Sequence, residues 1–450
     1  MTEPASSRPR IAETLAVYLR PRVLIVFFLG FSSGLPLALS GSTLQVWLTQ
    51  SGVDIKTIGL FAAVGTPYTI KFLWAPLVDA LDVPLLARRF GRRRGWLLFS
   101  QLLLVVAIML LGMCDPAAAP GLVALAALFV ATASATQDIV IDAFRVESLP
   151  ESEQAAGMAS YVAAYRVGML ISTAGALRLV TQFEHVGFGK NPAWTAGYIV
   201  MAFCVVIGVV TTLVAAEPEK SAAANAEHAA QAGDNPVIRV ARGAVAAFSE
   251  FLTRDFAIAA LLFVVLFKFT DALAGVMTAP FVIKVGFTRD QYGDIVKFYG
   301  FIATLVGGFA GGFLARAQRL APSLWVGGIL QAIANLGFTW LASIGGADVT
   351  ALIIAITLEN FTSAIGTVIF VAYVSALCSN PLHTATQYAL LTALAAVGRT
   401  YLSVSAGYIV DAAGWPWFFT ICALAAIPSL LLLAWLQQRG HFAALERKSA

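Results

Sequence analysis

Apolar residues in this chain come in runs of about twenty or more, separated by short polar connections, and no run shows the every-second-residue alternation of a barrel strand. The runs lie near 23–47, 57–79, 96–113, 121–145, 157–180, 194–215, 256–283, 291–315, 323–344, 349–376, 385–410 and 415–437. A helix of that length crosses roughly 30 Å of hydrocarbon and satisfies its own backbone hydrogen bonds there. The pattern predicts an all-α membrane protein with about twelve transmembrane helices and both termini on one side. The first run is long for a signal sequence and many more follow it, so it is expected to stay as a helix.

Polar residues inside the runs stand out against that background. The fourth run contains Ser134-Ala-Thr-Gln137-Asp138-Ile-Val-Ile-Asp142-Ala-Phe-Arg145, with two carboxylates at i, i+4 on one helical face. Ionised groups in hydrocarbon are costly, so this face is expected to look onto a polar cavity. The other charges within runs are Lys71, Arg166, Lys268, Lys297 and Arg399, with Asp271, Asp294 and Glu359, the last beside Asn360. Lys268 stands three residues from Asp271, and Lys297 three from Asp294, so each is expected to pair along its own helix. Lys71 and Arg166 have no opposite charge within a turn and are the better ligand candidates.

Composition agrees: 59% of residues are apolar and 12% charged, against roughly a quarter charged in soluble domains. The net charge of +4 reflects where the basic residues sit. They gather before the first run (Arg20, Arg22), in the second connection (Arg88 to Arg94), in the long central connection (Arg239, Arg242) and at the end of the chain. The opposite connections hold little beyond Lys56, Lys190, Lys284 and Arg289. The positive-inside rule then places both termini in the cytoplasm, and the bias calls for no nucleic-acid partner. Cys114, Cys204, Cys378 and Cys422 are scattered singly and suit neither a metal site nor a disulfide frame. His185, His228, His383 and His441 fall in loops or tails. With no nucleophile–base set in the spans, an enzyme is not expected.

The polar, Ala-rich segment 217–250 divides the runs six and six, as a linker between halves 1–216 and 251–450. Gly41, Gly52 and Gly59 recur as Gly275, Gly286 and Gly293, while Gln154, Arg166 and Ser172 recur as Gln387, Arg399 and Ser405. Both sets point to an ancient duplication. Two six-helix halves facing each other across a midplane cavity is the major facilitator architecture, which transports by rocking one half against the other.

Four motifs carry a more specific likeness: Gly30-Phe-Ser-Ser-Gly34-Leu-Pro36, Lys71-Phe-Leu-Trp74-Ala-Pro76-Leu-Val-Asp79, Gly91-Arg-Arg-Arg-Gly-Trp96 and Gln137-Asp138-Ile-Val-Ile-Asp142. In these the chain resembles the AmpG-type muropeptide permeases, densely in its first half and weakly in its second. The resemblance implies a proton-driven importer of N-acetylglucosaminyl-1,6-anhydro-N-acetylmuramyl peptides in the bacterial inner membrane. It implies a role in peptidoglycan recycling and β-lactam resistance; a monomer in the lipid bilayer, with no cofactor beyond the proton gradient, is expected. Another anionic solute, acetyl-CoA-like or siderophore-like, is the alternative cargo, and a nontransporting receptor is the alternative class.

Within that frame Asp138 and Asp142 are read either as the proton site, two like charges sharing a cavity, or as a gate pairing with basic residues such as Arg145. Glu359 is a second proton carrier or the partner of Arg399 across the cavity. Lys71, Arg166, Gln137, Trp74, Arg399 and Asn360 are expected to touch the substrate, the cations holding peptide carboxylates and Trp74 stacking on a sugar. Asp79 with Arg92, Arg93, Arg94 and Arg145 is expected to form a cytoplasmic latch, the alternative being loop charge that sets topology alone.

Overall fold

The computed structural model describes residues 16–218, 249, 252–253, 255–377, 384–443 and 445. The expected linker lies almost wholly outside the described residues. The membrane helices are α1 (Pro21–Gln50), α2 (55–80), α3 (Arg92–Gly112), α4 (Pro120–Ser148), α5 (151–185), α6 (Lys190–Val214), α7 (Ala257–Val285), α8 (289–317), α9 (Leu320–Ile344), α10 (Val349–Leu377), α11 (384–413) and α12 (415–438). Among the described residues nine continuous stretches are long and apolar enough to cross a membrane. One of them, Leu391–Gln438, contains the later part of α11 and all of α12, with a non-helical turn at Gly414 (φ 76°). The remaining two helices fall short for visible reasons. In α2 the helix breaks into 3-10 turns at Phe61–Gly65 and Lys71–Leu73. In α5 Glu151, Glu153, Arg166 and Arg178 interrupt the apolar run.

Small residues set how closely helices cross, because lipid offers no hydrophobic drive and association rests on packing. Gly30 and Gly34 on α1 form a G-x-x-x-G pair facing α5. A Cβ on Gly34 would lie 2.1 Å from the Tyr165 carbonyl oxygen, and one on Gly168 2.4 Å from that of Phe31. The two backbones therefore touch. Gly307 and Gly311 on α8 repeat the device against α10, where added Cβ atoms would meet Phe361 and Ile365 backbone at 2.3 and 2.9 Å. Aromatic stacks fill the rest, Trp47 on Trp194 at 5.4 Å in the first half and Phe338 on Phe419 at 4.9 Å in the second.

The halves meet at one end only, as judged by polar contacts among the described residues. That end carries the 51–54, 186–189 and 286–288 connections. Lys56 pairs with Asp411 at 2.9 Å and Arg178 with Asp294 at 2.6 Å. Arg289 pairs with Glu184 and also donates to Thr181 and Gln50. The innermost link is Thr69 to Thr400 at 3.1 Å. Glycines allow the approach here too: Gly59 abuts the backbone of Gly407, and Gly293 that of Ala174. These contacts obey the internal repeat, since Asp411 and Arg178, Gly407 and Ala174, and Arg399 and Arg166 are each 233 positions apart.

Candidate functional site

Between the halves lies a cavity of about 230 Å³, walled by Arg166 and Thr173 of α5, Tyr292, Lys297 and Thr304 of α8, and Glu359 and Asn360 of α10. Local backbone irregularity accompanies several of the candidate residues. Lys297 sits in a π-helical turn, Tyr292–Tyr299, and Arg399 in another, Gly398–Leu402. Such turns are scarce and concentrate at functional positions. Lys71 occupies the 3-10 turn that breaks α2.

Lys71, Arg166, Lys297 and Arg399 have no carboxylate within ion-pair distance among the described residues, whereas Lys268 is held by Asp271 at 2.8 Å. The expected pairing of Lys297 with Asp294 is not formed: Asp294 takes Arg178 from α5, and Lys297 lies 5.5 Å from the centre of the Tyr292 ring. Nor does Glu359 pair with Arg399. Its Oε2 accepts from Asn360 Nδ2 at 2.7 Å, and Asn360 Oδ1 accepts from Thr304 at 3.2 Å.

Asp138 is buried beside α1, where Ser33 Oγ donates to it at 2.5 Å. The same Oγ lies 3.0 Å from the Tyr161 hydroxyl, so a continuous polar chain runs from Asp138 to α5. Ser33 and Tyr161 were not singled out from sequence, although a serine beside Gly34 in an apolar run was a signal. Asp142, one turn further along, is exposed, and the charge of Arg145 on the same helix reaches it. Lys71 is the cation whose field reaches both carboxylates.

Two expected ligands, Gln137 and Trp74, do not border this cavity. Gln137 is fully buried, and neither polar atom of its amide has a hydrogen-bond partner. Neither Gln137 nor Asp138 is among the residues that border the cavity between the halves. Trp74 turns its indole N–H onto Thr136 at 3.2 Å and packs with the Val78, Val140 and Ile141 cluster against α4.

The basic cluster near the opposite end ties helices of the first half together. Arg93 clasps Glu147 at the end of α4, at 2.5 and 2.9 Å. The main-chain N–H groups of Arg93 and Arg94 donate to the Glu217 carboxylate at 2.8 and 3.0 Å, capping the start of α3. Arg94 closes the end of α6 through the carbonyls of Thr212 and Leu213. Arg92 is half-buried at the first position of α3, and the side chain of Asp79 lies outside the described residues.

Comparison with known proteins places this geometry. The Major Facilitator Superfamily model matches residues 26–378. An anhydromuropeptide permease of Escherichia coli K12 is 40% identical over 94% of this chain and 81% of its own length. A transporter of Rickettsia felis named AmpG 4 is 35% identical over 93% of this chain and 97% of its own. Among solved structures, a POT family transporter aligns over 93% of this chain and 96% of its own with a TM-score of 0.66 at 13% identity. The xylose transporter XylE of E. coli aligns over 91% and 94% with 0.65 at 12%. These two share the fold.

Proposed function

Because the chain belongs to the Major Facilitator Superfamily, and within it to the same family as an anhydromuropeptide permease, we propose that it imports N-acetylglucosaminyl-1,6-anhydro-N-acetylmuramyl peptides across a bacterial inner membrane in symport with protons. The identity to that permease over nearly the whole chain carries this reading. The cavity chemistry supports it: a muropeptide bears peptide carboxylates, and the space between the halves presents Arg166 and Lys297, neither of them paired with a carboxylate among the described residues.

In this reading Asp138 and Asp142 take up and release the coupling proton. Asp138, Ser33 and Tyr161 join α4, α1 and α5, so a change of charge on Asp138 is felt where three helices meet. Lys71 stands as the counter-charge that the substrate or the protonation state redistributes. With both termini cytoplasmic by the positive-inside rule, the end sealed by Arg178–Asp294 and Arg289–Glu184 is the periplasmic one, and the cavity opens toward the cytoplasm. Import then requires that seal to break and re-form in each cycle.

The test is uptake into proteoliposomes of a labelled anhydro-muropeptide tripeptide beside acetyl-CoA and free amino sugars, with and without an imposed pH gradient. Accumulation of the muropeptide that needs the gradient is expected. Accumulation of acetyl-CoA in its place reassigns the cargo, and binding without accumulation makes the chain a receptor.

A further inference from the structure

Arg166 and Lys297 belong to opposite halves yet border one cavity. Among the described residues neither is spent on a carboxylate, and Glu359 is the acidic group on the same wall, held by the amide of Asn360. The other charges that reach Glu359 are Asp271 and Lys268 on α7. They are already committed to each other, and Asp271 Oδ2 also accepts from Gln331 and Ser363, each at 2.9 Å. Among the described residues the charges still available at this cavity are therefore two cations and one carboxylate, leaving one net positive charge away from bulk water. Lys297 owes its freedom to the π turn, which rotates it away from Asp294 and over the Tyr292 ring.

We propose that Arg166 and Lys297 form a seat for a carboxylate of the transported peptide, bridging the two halves, with Glu359 as the resident anion that gives way to the cargo by accepting a proton. The proposal rests on the permease reading and deepens it. The charges balance. Before binding, the seat holds Arg⁺, Lys⁺ and Glu⁻; afterwards it holds Arg⁺, Lys⁺, neutral Glu and the cargo carboxylate. The net charge is the same, so one proton enters with each carboxylate seated and leaves when the cargo departs and Glu359 is again the anion on that wall. Because the cations come from α5 and α8, the seated anion also draws the halves together at the cavity.

Purified protein in lipid nanodiscs tests this by titration with an anhydro-muropeptide tripeptide and with the same molecule bearing every stem carboxylate as an amide. The unaltered chain should bind the acid at least about tenfold more tightly than the amide, a difference of about 1.4 kcal/mol. That preference should grow as pH falls from 8 to 6, with about one proton taken up per ligand when heats are compared in buffers of different ionisation enthalpy. Lys297→Gln should bring the preference close to parity, and Lys297→Arg should restore it. Glu359→Gln should keep the preference while losing its pH dependence and the proton uptake. Equal binding of acid and amide by the unaltered chain overturns the seat while the permease reading stands, as does a full preference in Lys297→Gln. Binding of neither ligand removes the permease reading and the seat together.

Discussion

Asp138 is the residue at which burial, hydrogen bonding and charge meet. Its carboxylate accepts from Ser33, and Ser33 in turn contacts Tyr161, so replacing the acid by its amide keeps the shape of the chain but removes the proton. Asp138→Asn is expected to abolish accumulation driven by a pH gradient in proteoliposomes while sparing exchange at equal concentrations on both sides. Ser33→Ala, which deletes the link and keeps the acid, should slow gradient-driven uptake several-fold without abolishing it. Full accumulation by Asp138→Asn, Asp142→Asn and the double variant would remove the pair from coupling and leave Glu359 as the coupling site. The pair itself was legible, since two acids one turn apart in an apolar run have few structural uses. The partners of the cations were less so. Spacing assigned Lys297 to Asp294 on the assumption of an α-helix, but the segment is π-helical, where three residues no longer return to the same face. Arg178, which takes Asp294, comes from 116 positions away and leaves no local trace.

At the scale of elements, hydrocarbon thickness fixes helix length and so makes the spans readable; the breaks in α2 fall just before Pro67 and Pro76, which lack a backbone donor, whereas the π turns carry no such mark in the sequence. The glycine crossing of α1 on α5 shows how little room packing between helices leaves. A Cβ on Gly34 would fall 2.1 Å from a carbonyl oxygen, so the backbones themselves must separate, and the Ser33–Asp138 contact beside it moves with them. Gly34→Val should therefore destabilise the protein by about 1–3 kcal/mol, seen as a lowered midpoint of thermal unfolding in detergent, and should weaken transport as well. Gly308→Ala is the control, because an added Cβ there meets nothing within 4 Å. An unchanged midpoint for Gly34→Val would mean that α1 and α5 are not in backbone contact. The signal for the crossing was present as Gly30-Phe-Ser-Ser-Gly34, but the partner helix was not, since α5 answers with a lone Gly168 and not a matching motif.

For the whole molecule, the balance between the two facings of the cavity rests on the sealed end. The seal is built twice from the internal repeat with its charges exchanged: Arg178 of α5 meets Asp294 of α8, while Asp411 of α11, the counterpart of Arg178, meets Lys56 of α2. Both of these pairs are largely exposed, and such pairs contribute about 0–1 kcal/mol each. Arg289 differs. Its side chain is only 11% exposed; besides pairing with Glu184 it binds Thr181 and Gln50 and lies 5.9 Å from the Trp194 ring centre. Removing it strands a partly buried carboxylate and opens a gap between the halves, so its loss should cost the sealed state more than loss of either exposed pair. Arg289→Ala is expected to shift the population toward the opposite facing by about tenfold, about 1.4 kcal/mol, and Lys56→Ala by no more than a few-fold. Spin labels on the two halves near the 186–189 and 286–288 connections would report the shift as a longer distance distribution in the absence of cargo. If Arg289→Ala and Lys56→Ala gave the same distribution as the unaltered chain, the seal would have to be carried by the glycine contacts at Gly59 and Gly293, and the charge network would be incidental to it.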